Sequence, residues 1–185
     1  TDATAAVRRM LLALPQSAIR RCDASFGANS GPARFGWGFP LSVPLAYDTI
    51  HDALSPEDRR QFCAWSSEYL IRDFLGLVGP YYYKSSGSNG TLGYMTVALP
   101  TILAIRGDPN VPSLEEELKR CISYFEATLH TAIGPEGYPE EDIGYGTAVV
   151  ADAAYHVEAL RRAGLFDAYT ACPRFLRFGE AILHF

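Results

Sequence analysis

Two short stretches bring together residue types able to move a proton beside a charge. One is GPEGYPEEDIGYGT, residues 134–147, with four carboxylates and two tyrosines set among four glycines and two prolines. The other is KSSGSNGTLG, residues 84–93, where Asn89 follows Ser88 and precedes a glycine. Tyr145 stands where an apolar helix begins, and a helix N-terminus helps stabilise the phenolate that a proton-transferring tyrosine must visit. Asn89, at another helix entrance, presents an amide suited to a carboxylate or a hydroxyl. Both stretches also have a plainer reading. Pro139 and the glycines shape a turn, Glu140, Glu141 and Asp142 favour the next helix through its dipole, and Asn89 caps a helix beginning near Thr91.

Other side chains suit sugar recognition. Tyr81, Tyr82 and Tyr83 with Lys84 form a possible stacking wall with a cation for acidic groups. Trp37 and Arg34 lie in FGANSGPARFGWGF, residues 26–39, a long loop that either plugs a core edge or lines a groove. Packing accounts equally well for both sets. Of the histidines, His51 and His156 fall inside apolar helical stretches and read as core or helix-face residues; His130 and His184 complete the set.

The elements that must position these groups read as helices throughout. Residues 3–14 are rich in helix formers and stop at Pro15. A helix is predicted over 41–54, with Pro44 in its first turn, where a missing N–H is tolerated. The next is opened by Ser55 as N-cap, Pro56 and a box-like Asp58, and carries Phe62, Trp65, Tyr69, Phe74 and Leu75 at approximate helical spacing. An apolar helix from about Thr91 passes Pro100, a predicted kink, and ends at Gly107. Ser113 with Glu116 marks another start. The helix after the 134–147 loop closes on Arg161, Arg162 and Gly164, and a last one is predicted over 174–184. No stretch shows strict strand alternation. The fold class is therefore all-α, helical hairpins in a single domain over 1–185. Loops 79–90 and 134–144 emerge on one rim if successive hairpins stack alike.

Composition narrows the partners. Apolar residues make up 48%, charged residues 20%, and the net charge is −5, so no basic field argues for nucleic acid. No apolar run reaches the length of a membrane span, and no signal peptide opens the chain. The four cysteines, Cys22, Cys63, Cys121 and Cys172, form no Cys-x-x-Cys pair; they permit disulfides but argue against zinc. The paired arginines, such as Arg8-Arg9 and Arg161-Arg162, read as solvated helix faces. Both ends read as cuts in a longer, processed protein, expected to be secreted or periplasmic.

Three segments in order carry a resemblance. LAYDTIHDALSPEDRRQF looks like the "aYD-x-l-x-d-aLs-x-e-x-R" helix pair of the heparinase II/III-like polysaccharide lyases. SNG followed by an apolar helix ending in RGD resembles that family's Asn-Trp motif and its Ala/Leu-rich helix ending in Gly-Asp. GPEGYPEEDIGYGTAVVADAAYHVEALRRAG is similar to its "pDG-x-x-x-EG-x-x-Y" loop and succeeding helix. The resemblance runs from about residue 38 to residue 165. Gly90 stands where the family has tryptophan, and Asp142 where it has the glycine after glutamate.

The resemblance implies an (α/α) toroid and β-elimination across a uronate 4-O-glycosidic bond. Asn89 would neutralise the substrate carboxylate and Tyr145 would act as acid, base or both. Ser88, Tyr138, Glu141, Tyr82, Tyr83, Lys84, Trp37 and Arg34 would contact an acidic polysaccharide. No cofactor or metal is implied for this chain, since the relatives' metal site belongs to a separate β-sheet domain. The relatives also use a histidine from a later part of the chain, and the resemblance assigns that role to none of His51, His130, His156 and His184, leaving its identity open. A closed ring of about ten to twelve helices needs roughly 300 residues, and about six are legible. The chain is thus expected to be a fragment, half or so of a ring completed by the rest of the same protein, and inactive or oligomeric alone. Two rivals stand beside the lyase: a glycoside hydrolase on a similar toroid, using carboxylates such as Glu140, Glu141, Asp142 or Asp152, and a non-catalytic carbohydrate-binding domain.

Overall fold

The computed structural model describes residues 2–16, 39–76, 89–140 and 143–182. Among them are eight α-helices and no strand. They are α1 (Asp2–Ala13), α2 (Phe39–Ile50), α3 (Pro56–Ser66), α4 (Asn89–Ile105), α5 (Glu115–Ala132), α6 (Ile143–Arg162), α7 (Ala168–Ala171) and α8 (Arg174–Ile182). The all-α class predicted from sequence holds. The chain falls into two compact units, one of residues 1–76 and 97–118, the other of residues 77–96 and 119–185.

In the first unit, α2 begins two residues before the predicted start, because Pro40 at its second position needs no N–H. Pro44 therefore lies inside the helix rather than in its first turn. After Ile50 the chain tightens into a 3-10 turn, His51–Ala53. Ser55 then caps α3 as predicted: its side chain accepts from the Asp58 N–H, and Asp58 accepts from the Ser55 N–H. Tyr47 stacks on Phe62 with ring centroids 4.3 Å apart and planes 12° from parallel. Both side chains are buried, as are Val43, Trp65 and Leu99 of the same unit, and Phe62 also meets the Trp65 ring at 6.0 Å between centroids. Full burial of such a side chain contributes about 1.5–3 kcal/mol.

Helix α3 passes without a break into a π-helical segment, Ser67–Arg72, and returns to α geometry through residue 76. The sequence demands this. Phe62, Cys63 and Ser66 are buried on the first part, and Leu70, Ile71, Phe74 and Leu75 on the second. At about 100° per residue the second set would rotate off the buried face in an uninterrupted α-helix. A wider turn with i→i+5 bonds, such as Asp73 N–H to the Glu68 carbonyl, absorbs one extra residue and restores the register. The approximate spacing seen in the sequence was this one-residue slip.

In the second unit, α5 buries Cys121, Phe125, Leu129 and Ala132 along one stripe, and α6 buries Val150, Ala153, Val157 and Leu160. His156 joins this core, buried, its ring 5.9 Å from that of Phe125. Helix α6 ends as its sequence predicts. Gly164, at φ +65°, sends its N–H to the Arg161 carbonyl, and Leu165 donates to Leu160. Gly107 plays the same part after α4 at φ +86°. Cys63, Cys121 and Cys172 are buried free thiols; Cys22 lies outside the described residues. The short α7, capped by Asp167 on the Tyr169 N–H, has no counterpart in the sequence reading.

Candidate functional site

Asn89 is the first residue of α4, two positions ahead of the Thr91 start read from sequence, and Tyr145 is the third residue of α6. Each thus belongs to the first turn of its helix, where N–H groups point outward and the dipole is positive. Both belong to the second unit. Of the remaining expected contacts, Arg34, Trp37, Tyr82, Tyr83, Lys84, Ser88 and Glu141 lie outside the described residues. Tyr138 is described, and it is 42% exposed.

The turn that holds Tyr138 is closely tied. Glu140 N–H bonds the Ala132 carbonyl at 2.9 Å, Gly134 N–H bonds the Tyr138 carbonyl at 2.8 Å, and Gly137 N–H bonds Gly134 at 3.0 Å. Ile133 and Pro139 pair as an antiparallel bridge. Gly137 sits at φ +89°, and a side-chain carbon there would lie 2.7 Å from the main-chain carbonyl of Arg177. Only glycine satisfies both conditions. Two arginines of α8 reach back to the same region. Arg174 donates to the carbonyls of His130 and Ile133 at the end of α5, at 3.2 and 3.4 Å, where a cation also suits the helix dipole. Arg177 donates to the Pro135 carbonyl at 3.2 Å.

A second polar cluster lies in the first unit, built from residues of two segments noted in the sequence. The buried Tyr47 hydroxyl donates to Asp108 Oδ2 at 3.4 Å and lies 3.3 Å from Cys63 Sγ. Asn110 donates twice to Asp108 Oδ1, from its main-chain and side-chain nitrogens, both at 2.8 Å. His51 Nε2 lies 3.4 Å from Arg59 Nη1 and 3.9 Å from Asp108 Oδ2, while Nδ1 lies 3.0 Å from Asp52. Because a guanidinium can only donate, Nε2 accepts and Nδ1 carries the hydrogen toward Asp52. The Tyr–Asp and Arg positions were visible as motif residues. Their meeting was not, since 61 residues separate Tyr47 from Asp108.

Electrostatics give this cluster a structural duty. Burial, then the neighbouring Cys63 and Asp108, push the Tyr47 phenol far above its ordinary range, so it stays a donor. Burial alone would raise Asp108. The bonds from Asn110, the charge of Arg59 and the Tyr47 hydroxyl outweigh it and hold the carboxyl below its usual range. The arrangement is an ion and hydrogen-bond network. It fastens the turn after α4 to α2 and α3.

No three metal-ligating side chains come together among the described residues, and no described helix is long and apolar enough to cross a membrane. No family model matches the chain, and no curated protein or solved structure is significantly similar to it.

Proposed function

We propose that this chain is part of a polysaccharide lyase of the heparinase II/III-like class, cleaving a uronic-acid-containing polysaccharide by β-elimination. The observation that carries the reading is that Asn89 and Tyr145, the two residues that the resemblance singles out, each belong to the first turn of a long helix in one compact unit. Helix N-termini favour the two negative species the reaction needs, a bound carboxylate and a transient phenolate.

The C5 proton of a uronate is only weakly acidic while the adjacent carboxylate keeps its charge. Asn89 donates hydrogen bonds to that carboxylate and spreads the charge of the enolate-like intermediate. Tyr145 takes the C5 proton and delivers a proton to the departing O4. The C5–H and C4–O4 bonds break and a C4–C5 double bond forms, so neither water nor an oxidant is consumed. The helical hairpins form part of an (α/α) toroid, which the rest of the same protein completes. Tyr138 contributes to the groove that takes the acidic polysaccharide.

Replacing Asn89 by Ala, or Tyr145 by Phe, in the full-length protein should each lower kcat by about a hundredfold or more. Initial rates of unsaturated product formation, with circular dichroism to verify folding, measure this. Undiminished rates in both variants would refute the assignment.

A further inference from the structure

The turn before α6 is fastened to α8 more firmly than a plain connection requires. Gly137 lies against the Arg177 main chain so closely that no side chain fits, and the Arg177 guanidinium holds the Pro135 carbonyl. Between these two anchors and the Ile133–Pro139 bridge stands Tyr138, its carbonyl bonded by Gly134 and its side chain substantially exposed. A tyrosine loses little side-chain entropy on fixing and offers a flat apolar face with one polar tip. Such a face fits the C–H side of a pyranose ring. A backbone tied by these bonds beneath it converts that contact into selectivity, because they oppose retreat of the ring from a bulkier sugar.

We propose that Gly137 and Arg177 are positioning residues that fix Tyr138 as a stacking platform for one sugar ring of the polysaccharide, and so help set which ring substituents are accepted. This rests on the lyase reading for the class of ligand, a uronate polymer, and on the turn geometry for the residues. Contact is through the ring's C–H face; the carboxylate is left to other groups. Arg174, which caps α5 one helical turn earlier, keeps the base of the turn in place.

The test uses the full-length protein and titration with alginate-type and heparan-type oligosaccharides. Tyr138→Ala should weaken the better ligand roughly tenfold and raise KM alike, with kcat nearly unchanged. Arg177→Ala should weaken it roughly fivefold, and Arg177→Lys, which still donates to a carbonyl, should recover most of the loss. The double variant should bind no worse than Tyr138→Ala alone, because the arginine acts only through the tyrosine. Amide exchange at Gly134, Gly137 and Glu140 should rise in Arg177→Ala. Gly137→Ala should show the same defects; if it fails to fold, the exposed Arg177 keeps the test intact. Unchanged affinity in both single variants, or additive losses in the double variant, would overturn the proposal even with elimination intact. Tyr138-dependent affinity in a protein that forms no unsaturated product would instead defeat the lyase reading and leave this one standing.

Discussion

Asp58 does two jobs with one carboxylate. It completes the capping box of α3 and receives Arg8 in a two-pronged pair, Nε to Oδ2 and Nη2 to Oδ1, both at 2.7 Å. The bonds from Arg8, ahead of those from Ser55, overcome the effect of burial and lower the Asp58 pKa to about 2. A carboxyl so depressed stabilises the fold fully above its ordinary pKa of 3.8 and loses that contribution as pH falls toward about 2. Asp58→Asn should therefore cost roughly 1–3 kcal/mol at pH 7 and abolish this part of the acid dependence. Denaturant titrations at pH 7 and pH 3 check both, and equal stability of variant and parent at pH 7 would show the pair to be idle. The box itself was legible in the sequence because its partners are three residues apart. Arg8 was not: its place in an arginine pair predicts a solvated face, and nothing local marks a partner 50 positions away. Arg161 and Arg162 fit that plainer reading better, both exposed and sharing Glu158 on their own helix. The candidate site was legible only as residue types, since an asparagine at a helix entrance serves capping and substrate binding with the same side-chain atoms.

Helix ends were the most readable elements. Gly107 and Gly164 stop α4 and α6 where expected because a positive φ has few other occupants. The π segment was not read, because a one-residue slip in a stripe looks like noise until both buried faces are known. It makes a sharp prediction. Deleting the exposed Glu68 should let residues 56–75 become regular α-helix with every buried side chain still in register, at a cost of about 1 kcal/mol or less. Deleting the exposed Ser123 from α5, which has no such slack, should turn Phe125, Leu129 and Ala132 off the core and cost more than about 4 kcal/mol. Thermal unfolding of the two deletions decides it, and equal losses would mean that the π turn corrects nothing. The short α7 escaped notice because four residues carry too little periodicity to register.

At the scale of the whole molecule, the all-α class followed from composition and periodicity, because no segment offered the alternation that a strand needs. Ring closure is a different kind of property. It depends on how many hairpins follow one another, and no stretch of local sequence encodes that number. The polar network of Tyr47, Asp108, Arg59 and His51 ties together two of the three segments on which the family resemblance was drawn. It gives those residues a structural part, and the chemistry proposed for this chain rests on Asn89 and Tyr145. The measurement that tests this most directly is the product formed when the full-length protein meets a panel of uronic polymers. A lyase leaves a C4–C5 double bond, seen as new ultraviolet absorbance that rises with cleavage and is abolished in Tyr145→Phe. New reducing ends without that absorbance would contradict the account and point to hydrolysis by a carboxylate pair.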